Sequence, residues 1–366
     1  MSGAVLRAII VVVLGTALVG CGPTPSPPRA AEGAGPPPAV SAPAPSPPPP
    51  AAEPEVVRVG TVRSINAAPF IVAMGRGYYQ EEGILLEPAE FRSAADIVSA
   101  LGTGQLDVSI GTISAGTFNA WQRGVKLIVA APTSLYPAEG LMPQNVVVRK
   151  ELVDSGAVRS AADFRGRKVA LNVRGGINEL VVMRVLARRG LTLDDVDVQT
   201  MPFPDMIPAL ANGSIDVLTA SDPYGTMAIL QGVGVRLEED QRSVGQLQPT
   251  HFLFSERFTT ARAEAAVRFL IATMRGAREL QGNWLADPTL AQIMEDELGF
   301  KREVLAQAIL PTYPPDLITR PEDVELFQDA FMRLGHLSYT TPLDVTPFVN
   351  NTLAQRAKER LDARRR

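Results

Sequence analysis

Along this chain, short apolar runs alternate with stretches whose apolar residues recur at helical spacing. From position 56 the pattern predicts a strand over 56–62, a helix over 67–82 and a strand over 84–91. A helix over 94–101, a strand over 107–110, a helix over 114–123 and a strand over 126–131 follow. A second set predicts strands over 168–172, 196–200 and 216–220, with helices over 178–189, 205–211 and 224–231. Beyond 259 the pattern is mainly helical. Strand–helix alternation with short connections implies an α/β fold built on mostly parallel sheets.

The two sets share a motif. Asp96, Ala100, Leu101, Gly104, Asp107 and Val108 recur 109 residues later as Asp205, Ala209, Leu210, Gly213, Asp216 and Val217. In each copy an acidic residue opens a helix, a glycine ends it and a strand begins. Two similar α/β lobes are therefore expected, with a cleft between them. In open α/β sheets ligands sit beyond the carboxyl ends of the strands.

The loops at those strand ends supply the candidate ligand-binding residues. In the first lobe these are Ser64, Asn66, Arg92, Thr112 and Ser114; in the second, Arg174, Gly175, Gly176, Asn178, Phe203, Asp222 and Tyr224. Ser, Thr, Asn and Gly at helix starts leave backbone N–H groups for an oxyanion or a polar edge. The same residues are also the commonest helix caps, and Gly175-Gly176 also reads as a tight turn. Arg174 offers bidentate recognition of a sulfonate, carboxylate or phosphate, or is a solvated arginine. Phe203 and Tyr224 offer stacking on a flat ligand, or are core residues.

The N-terminal 54 residues follow a different logic. An apolar run of about 12 residues over 8–19 is too short for a membrane span and suits a signal-peptide core. It ends in Leu18-Val19-Gly20-Cys21, which resembles a bacterial lipobox and makes Cys21 the expected lipid-attachment residue. Residues 22–54 hold 14 prolines in 33 positions and read as a polyproline tether. Composition narrows the chemistry further. The net charge of −4 offers no basic face for nucleic acid. The one cysteine excludes an internal disulfide framework or a multi-cysteine metal centre, and two histidines argue against an imidazole cage. No cofactor or metal is expected.

Several segments together resemble the solute-binding proteins of ABC importers for nitrate, sulfonates and taurine, and for thiamine-pyrimidine precursors or riboflavin. They are Arg58-Val59-Gly60, Ala68-Pro69-Phe70, Gly77-Tyr78-Tyr79 with Glu82-Gly83-Ile84, Gly104 with Asp107-Val108, Leu152-Val153-Asp154-Ser155-Gly156, Asp163-Phe164 with Gly166 and Val169-Ala170, and Asp222-Pro223-Tyr224. The resemblance spans roughly 55–340. It implies a two-lobed type II periplasmic-binding-protein fold, α/β, with a helical C-terminal region. Lobe one would comprise 55–148 and 249–366, lobe two 149–248, with crossovers near 147–150 and 246–251 and a strand regained over 252–254. It also implies a monomeric, non-enzymatic receptor outside the cytoplasm. That receptor would be anchored to the cell membrane by lipid and would deliver its solute to a permease and its ATPase. The aromatic pair tips the expected solute toward a heteroaromatic vitamin or precursor, with sulfonate, taurine or nitrate as the alternative. A tethered solute sensor is the other expectation.

Overall fold

A computed structural model describes residues 54–364 apart from Arg63, Arg92, Ser93, Ser243 and Val244, and the side chains of Ala94 and Ala95 are not described. The signal segment, Cys21 and the tether up to residue 53 lie outside the described residues, as does Arg92. The chain first runs β1 (Glu55–Thr61), α1 (Ala68–Gly75), α2 (Tyr78–Glu81), β2 (Ile84–Glu90), α3 (Ala94–Gly102), β3 (Val108–Gly111), α4 (Ala115–Gln122) and β4 (Leu127–Pro132). Next come β5 (Gln144–Arg149), α5 (Lys150–Asp154), β6 (Lys168–Leu171), α6 (Ile177–Ala187), β7 (Asp197–Thr200), α7 (Phe203–Ala211), β8 (Val217–Ser221), α8 (Tyr224–Leu230) and β9 (Gly234–Arg236). Strand β10 (His251–Ser255) precedes α9 (Glu256–Thr260), α10 (Ala263–Glu279), α11 (Pro288–Leu298), α12 (Arg302–Leu305), α13 (Pro321–Arg333) and α14 (Asn351–Ala363).

Two five-stranded sheets result, ordered β2-β1-β3-β10-β4 and β7-β6-β8-β5-β9. Only β10 runs against its neighbours in the first sheet, and only β5 in the second. The sheets are thus mixed but mostly parallel, each belonging to one lobe.

The lobe boundary differs from the expected one. Strand β5 pairs with β8 and β9, so the chain leaves the first sheet after Pro132 and crosses over 133–143, not near 147–150. The run Val146-Val147-Val148 is buried in the second sheet. The return crossing ends at β10, whose Phe252 and Phe254 are buried against α10 residues such as Phe269. The helix expected over 67–82 is two helices after a 3-10 turn at Ile65–Ala67, with the break at Gly77 (φ 74°).

The repeated motif has a shared physical basis. Asp107 accepts the backbone N–H of Arg58 in β1 at 3.0 Å, and its own N–H donates to the Arg58 carbonyl. Asp216 does the same to Lys168 in β6, with N–H···Oδ2 at 3.1 Å. Each aspartate therefore ties the strand it opens, the central one of its sheet, to the neighbouring parallel strand. Gly104 and Gly213 adopt left-handed φ values of 75° and 77° between the helix and that aspartate. Arginines complete both sites: Arg58 and Arg262 at Asp107, Arg149 at Asp216. Burial opposes ionisation of Asp107, but the Arg58 hydrogen bonds and the Arg262 charge outweigh it and hold its pKa below the ordinary carboxylate value.

A depressed folded pKa gives stability that is present above about pH 4 and drains as pH falls through the folded value. Asp107→Asn should be about 1–3 kcal/mol less stable than the parent at neutral pH. The gap should narrow as urea midpoints are taken at successively lower pH. A gap independent of pH would contradict this role for Asp107.

Candidate functional site

One cavity lies where loops from both sheets converge. Its walls come from the segment after β1 (Val62, Ser64, Asn66, Ala67), the end of β3 (Ile110, Gly111, Thr112) and the loop after β6 (Asn172, Val173). The first residues of α6 (Ile177, Asn178), Phe203 at the start of α7, Ser221 at the end of β8 and Thr250 before β10 complete it. All except Thr250 follow or end parallel strands, the position that open α/β sheets reserve for ligands. Its volume is about 50 Å³, and it is partly open to solvent.

Asn66 organises the polar wall. Its Nδ2 donates to Ser221 Oγ at 3.3 Å and to Tyr136 Oη at 3.4 Å, and its Oδ1 accepts from Ser134 Oγ at 3.0 Å. Ser134 and Tyr136 belong to the first crossover, so one amide joins the first lobe, the crossover and the second lobe. Ser221 in turn donates to Gln144 Oε1 at 2.9 Å. Thr250 lies 3.1 Å from Ser134, hydroxyl to hydroxyl, and pairs with Thr133. Asn178 is anchored by its Nδ2 on the Thr219 carbonyl at 3.0 Å.

Among the described residues no charged side chain lines the cavity. His251, next to Thr250, is fully buried, and burial pushes its pKa down to about 3, so its imidazole is neutral. What remains is seven neutral polar side chains, an aliphatic and aromatic floor, and the N-terminus of the 11-residue α6. Aligned peptide dipoles make such a terminus favourable to negative charge.

The predicted residues divide cleanly. Ser64, Asn66, Thr112, Asn178 and Phe203 come together in the cavity. Ser114 instead opens α4, with Thr117 Oγ1 accepting its N–H at 3.3 Å. Arg174 pairs with buried Glu179 at 2.7 Å, and Gly175 and Gly176 form the turn into α6. Asp222 is fully buried: its carboxylate accepts N–H groups of Ile309 (2.6 Å) and Thr226 (3.0 Å). Burial raises its pKa despite those bonds. Tyr224 stacks on Phe203 with ring centroids 5.3 Å apart and meets Phe300 edge-on at 5.3 Å. It backs Phe203 from outside the cavity.

The sequence matches the NMT1-like family over residues 50–303. The chain belongs to the NMT1-like family. An Escherichia coli K12 protein named for binding aliphatic sulfonates is 26% identical over 238 residues, covering 65% of this chain and 69% of that protein. The alkanesulfonate-binding protein SsuA from Xanthomonas axonopodis pv. citri, solved bound to MOPS, superposes with a TM-score of 0.67 at 20% identity. That match covers 82% of this chain and all of that one. The periplasmic nitrate-binding protein NrtA from Synechocystis PCC 6803 gives a TM-score of 0.72 at 16% identity, covering 84% and 89%. At these identities the structures establish the fold: this NMT1-like chain has the periplasmic-binding-protein architecture.

Asn172, Ser221 and Thr250 line the NMT1-like cavity without having been picked from the sequence. Ser221 was legible as the first residue of a strand-end loop. Thr250 was not, because it lies in a crossover with no helix behind it. Since Tyr224 serves packing, Tyr224→Ala should lower the unfolding free energy by about 3–5 kcal/mol, as other buried aromatic truncations do. An unchanged urea midpoint would contradict this placement.

Proposed function

We propose that the protein is the extracytoplasmic solute receptor of an ABC importer and that its solute is a small oxyanion of the sulfonate or nitrate type. The observation that carries this reading is the cavity: about 50 Å³, edged by neutral polar side chains and a helix N-terminus. Pockets for drug-sized ligands run ~300–1,000 Å³, so a flavin or a substituted pyrimidine fits poorly, whereas an anionic head group fits. Of the two rings expected to stack on a heteroaromatic solute, only Phe203 reaches the cavity; Tyr224 packs behind it and against Phe300. Relatives named for aliphatic sulfonates and nitrate support the same class.

Binding an anion without a counter-charge relies on donors held in place before it arrives. Asn66, Ser221, Thr250 and Asn178 are held by their mutual and backbone hydrogen bonds. Because the cavity draws on both lobes, a solute touching both favours the closed state by its differential affinity. That closed state is the form offered to a permease. Capture and release require no bond-making, so the receptor is not an enzyme in this reading. Cys21 would carry the lipid, and the proline-rich segment would let the receptor range from the membrane surface.

The test is titration calorimetry on protein unfolded and refolded to strip solute, with ethanesulfonate, taurine, nitrate, hydroxymethylpyrimidine and riboflavin. Binding of an anion and none of the heteroaromatics is the expected result; the reverse overturns the proposal. Asn178→Asp, which sets a negative charge in the cavity, should weaken the anion by at least about tenfold, and Ser221→Ala by about tenfold. Cys21→Ser should move the protein from the membrane to the soluble fraction; a variant still sedimenting with membranes would remove the lipid anchor from the account.

A further inference from the structure

The two lobes meet at a second place, outside the cavity. Glu179, in the first turn of α6, is fully buried. Its Oε1 accepts from Arg174 Nη1 at 2.7 Å, and its Oε2 accepts from the Gly175 N–H at 2.6 Å and from His336 Nε2 at 2.7 Å. An ionised carboxylate only accepts, so the imidazole nitrogen facing it carries a proton.

His336 follows α13, and its turn is fastened to α4 of the first lobe. Asn119 Nδ2 donates to the His336 carbonyl at 3.0 Å, and Asn119 Oδ1 accepts from the Ser338 N–H at 2.8 Å and hydroxyl at 3.0 Å. One turn earlier, the first amide of α4, Ala115 N–H, donates to the Gly175 carbonyl at 2.8 Å. Gly175 has φ 64°, and a Cβ there would lie 2.4 Å from Ala115 Cβ. Helix α4 is therefore held against the α6 turn at two adjacent points.

We propose that His336, acting through Glu179, is a positioning residue for solute binding: it is the clasp that sets how far the lobes close before solute arrives. The proposal rests on reading the interlobe cleft as the solute site. Arg174 and the Gly175 N–H share a lobe with Glu179 and stay with it on opening; at this contact only His336 and Ala115 must let go. Opening thus keeps the carboxylate paired with a guanidinium, avoiding the large cost of an unpaired buried charge. That makes the clasp reversible. It also accounts for Arg174, which holds Glu179 in both states. Apparent affinity scales with the fraction of protein in the competent state, so the clasp tunes binding without touching solute. His336 lies beyond residue 303, where the family match ends.

Pulsed EPR on the full chain tests this, with Cys21→Ser and labels at Gln80→Cys and Asp194→Cys, both exposed positions on different lobes. Without solute, His336→Ala should lower the closed-to-open ratio by about tenfold. His336→Gln, whose Nε2 amide still donates, should restore closure, which rules out a general loss of fold. Gly175→Ala should also shift the protein toward open. Ethanesulfonate affinity should fall with the closed fraction. An unchanged distance distribution in His336→Ala overturns the clasp. A shifted distribution in protein that binds no sulfonate keeps the clasp and rejects the anion reading.

Discussion

The side-chain amide of Asn66 is the constraint on which the site depends. It is almost fully buried, and a buried amide left unpaired costs about 1–3 kcal/mol. Its partners come from the first crossover (Ser134, Tyr136) and the second lobe (Ser221), so satisfying it fixes where the lobes meet. Of the hydroxyls it holds, Ser221 edges the cavity, and Ser134 in turn meets the lining residue Thr250. Burial raises the pKa of Tyr136 to about 12, keeping its hydroxyl protonated and the network neutral. A neutral, pre-ordered polar wall follows from the geometry of one residue.

Charge elsewhere in the cleft is cancelled rather than presented. Glu179 absorbs Arg174, and Asp222 is held by two backbone amides with Arg236 at 3.9 Å. These carboxylates bind segments of the chain together, which in the proposed function leaves recognition to hydroxyls, amides and the α6 terminus. The division explains how a protein without a lysine or arginine among the described lining residues can suit an anion.

Much of the fold was legible from periodicity. Strands of alternating or continuous apolar residues and helices ended by Gly104 and Gly213 appear where expected, because local pattern and tertiary burial agree there. The repeat at Asp107 and Asp216 reflects one strand-tying hydrogen-bond device used twice. Strand β5 was not recognised, since Gln144–Arg149 carries only three central valines, and its antiparallel partner β8 lies some 70 residues away. In the site, Asn66, Thr112, Asn178 and Phe203 could be read from their loops. Arg174 could not be placed correctly. A sequence displays its charge but not the 157-residue separation that brings His336 to the same carboxylate. Tyr224 failed likewise, its neighbour Phe300 being supplied by the C-terminal helical region.

The most direct test of the central claim is a crystal structure of the protein with ethanesulfonate. The account predicts the sulfonate oxygens in the cavity between Asn66, Thr112, Asn178 and Ser221, within hydrogen-bond distance of the α6 terminus, with Arg174 still on Glu179. A sulfonate bound on Arg174, with Glu179 displaced and the cavity unused, would contradict it.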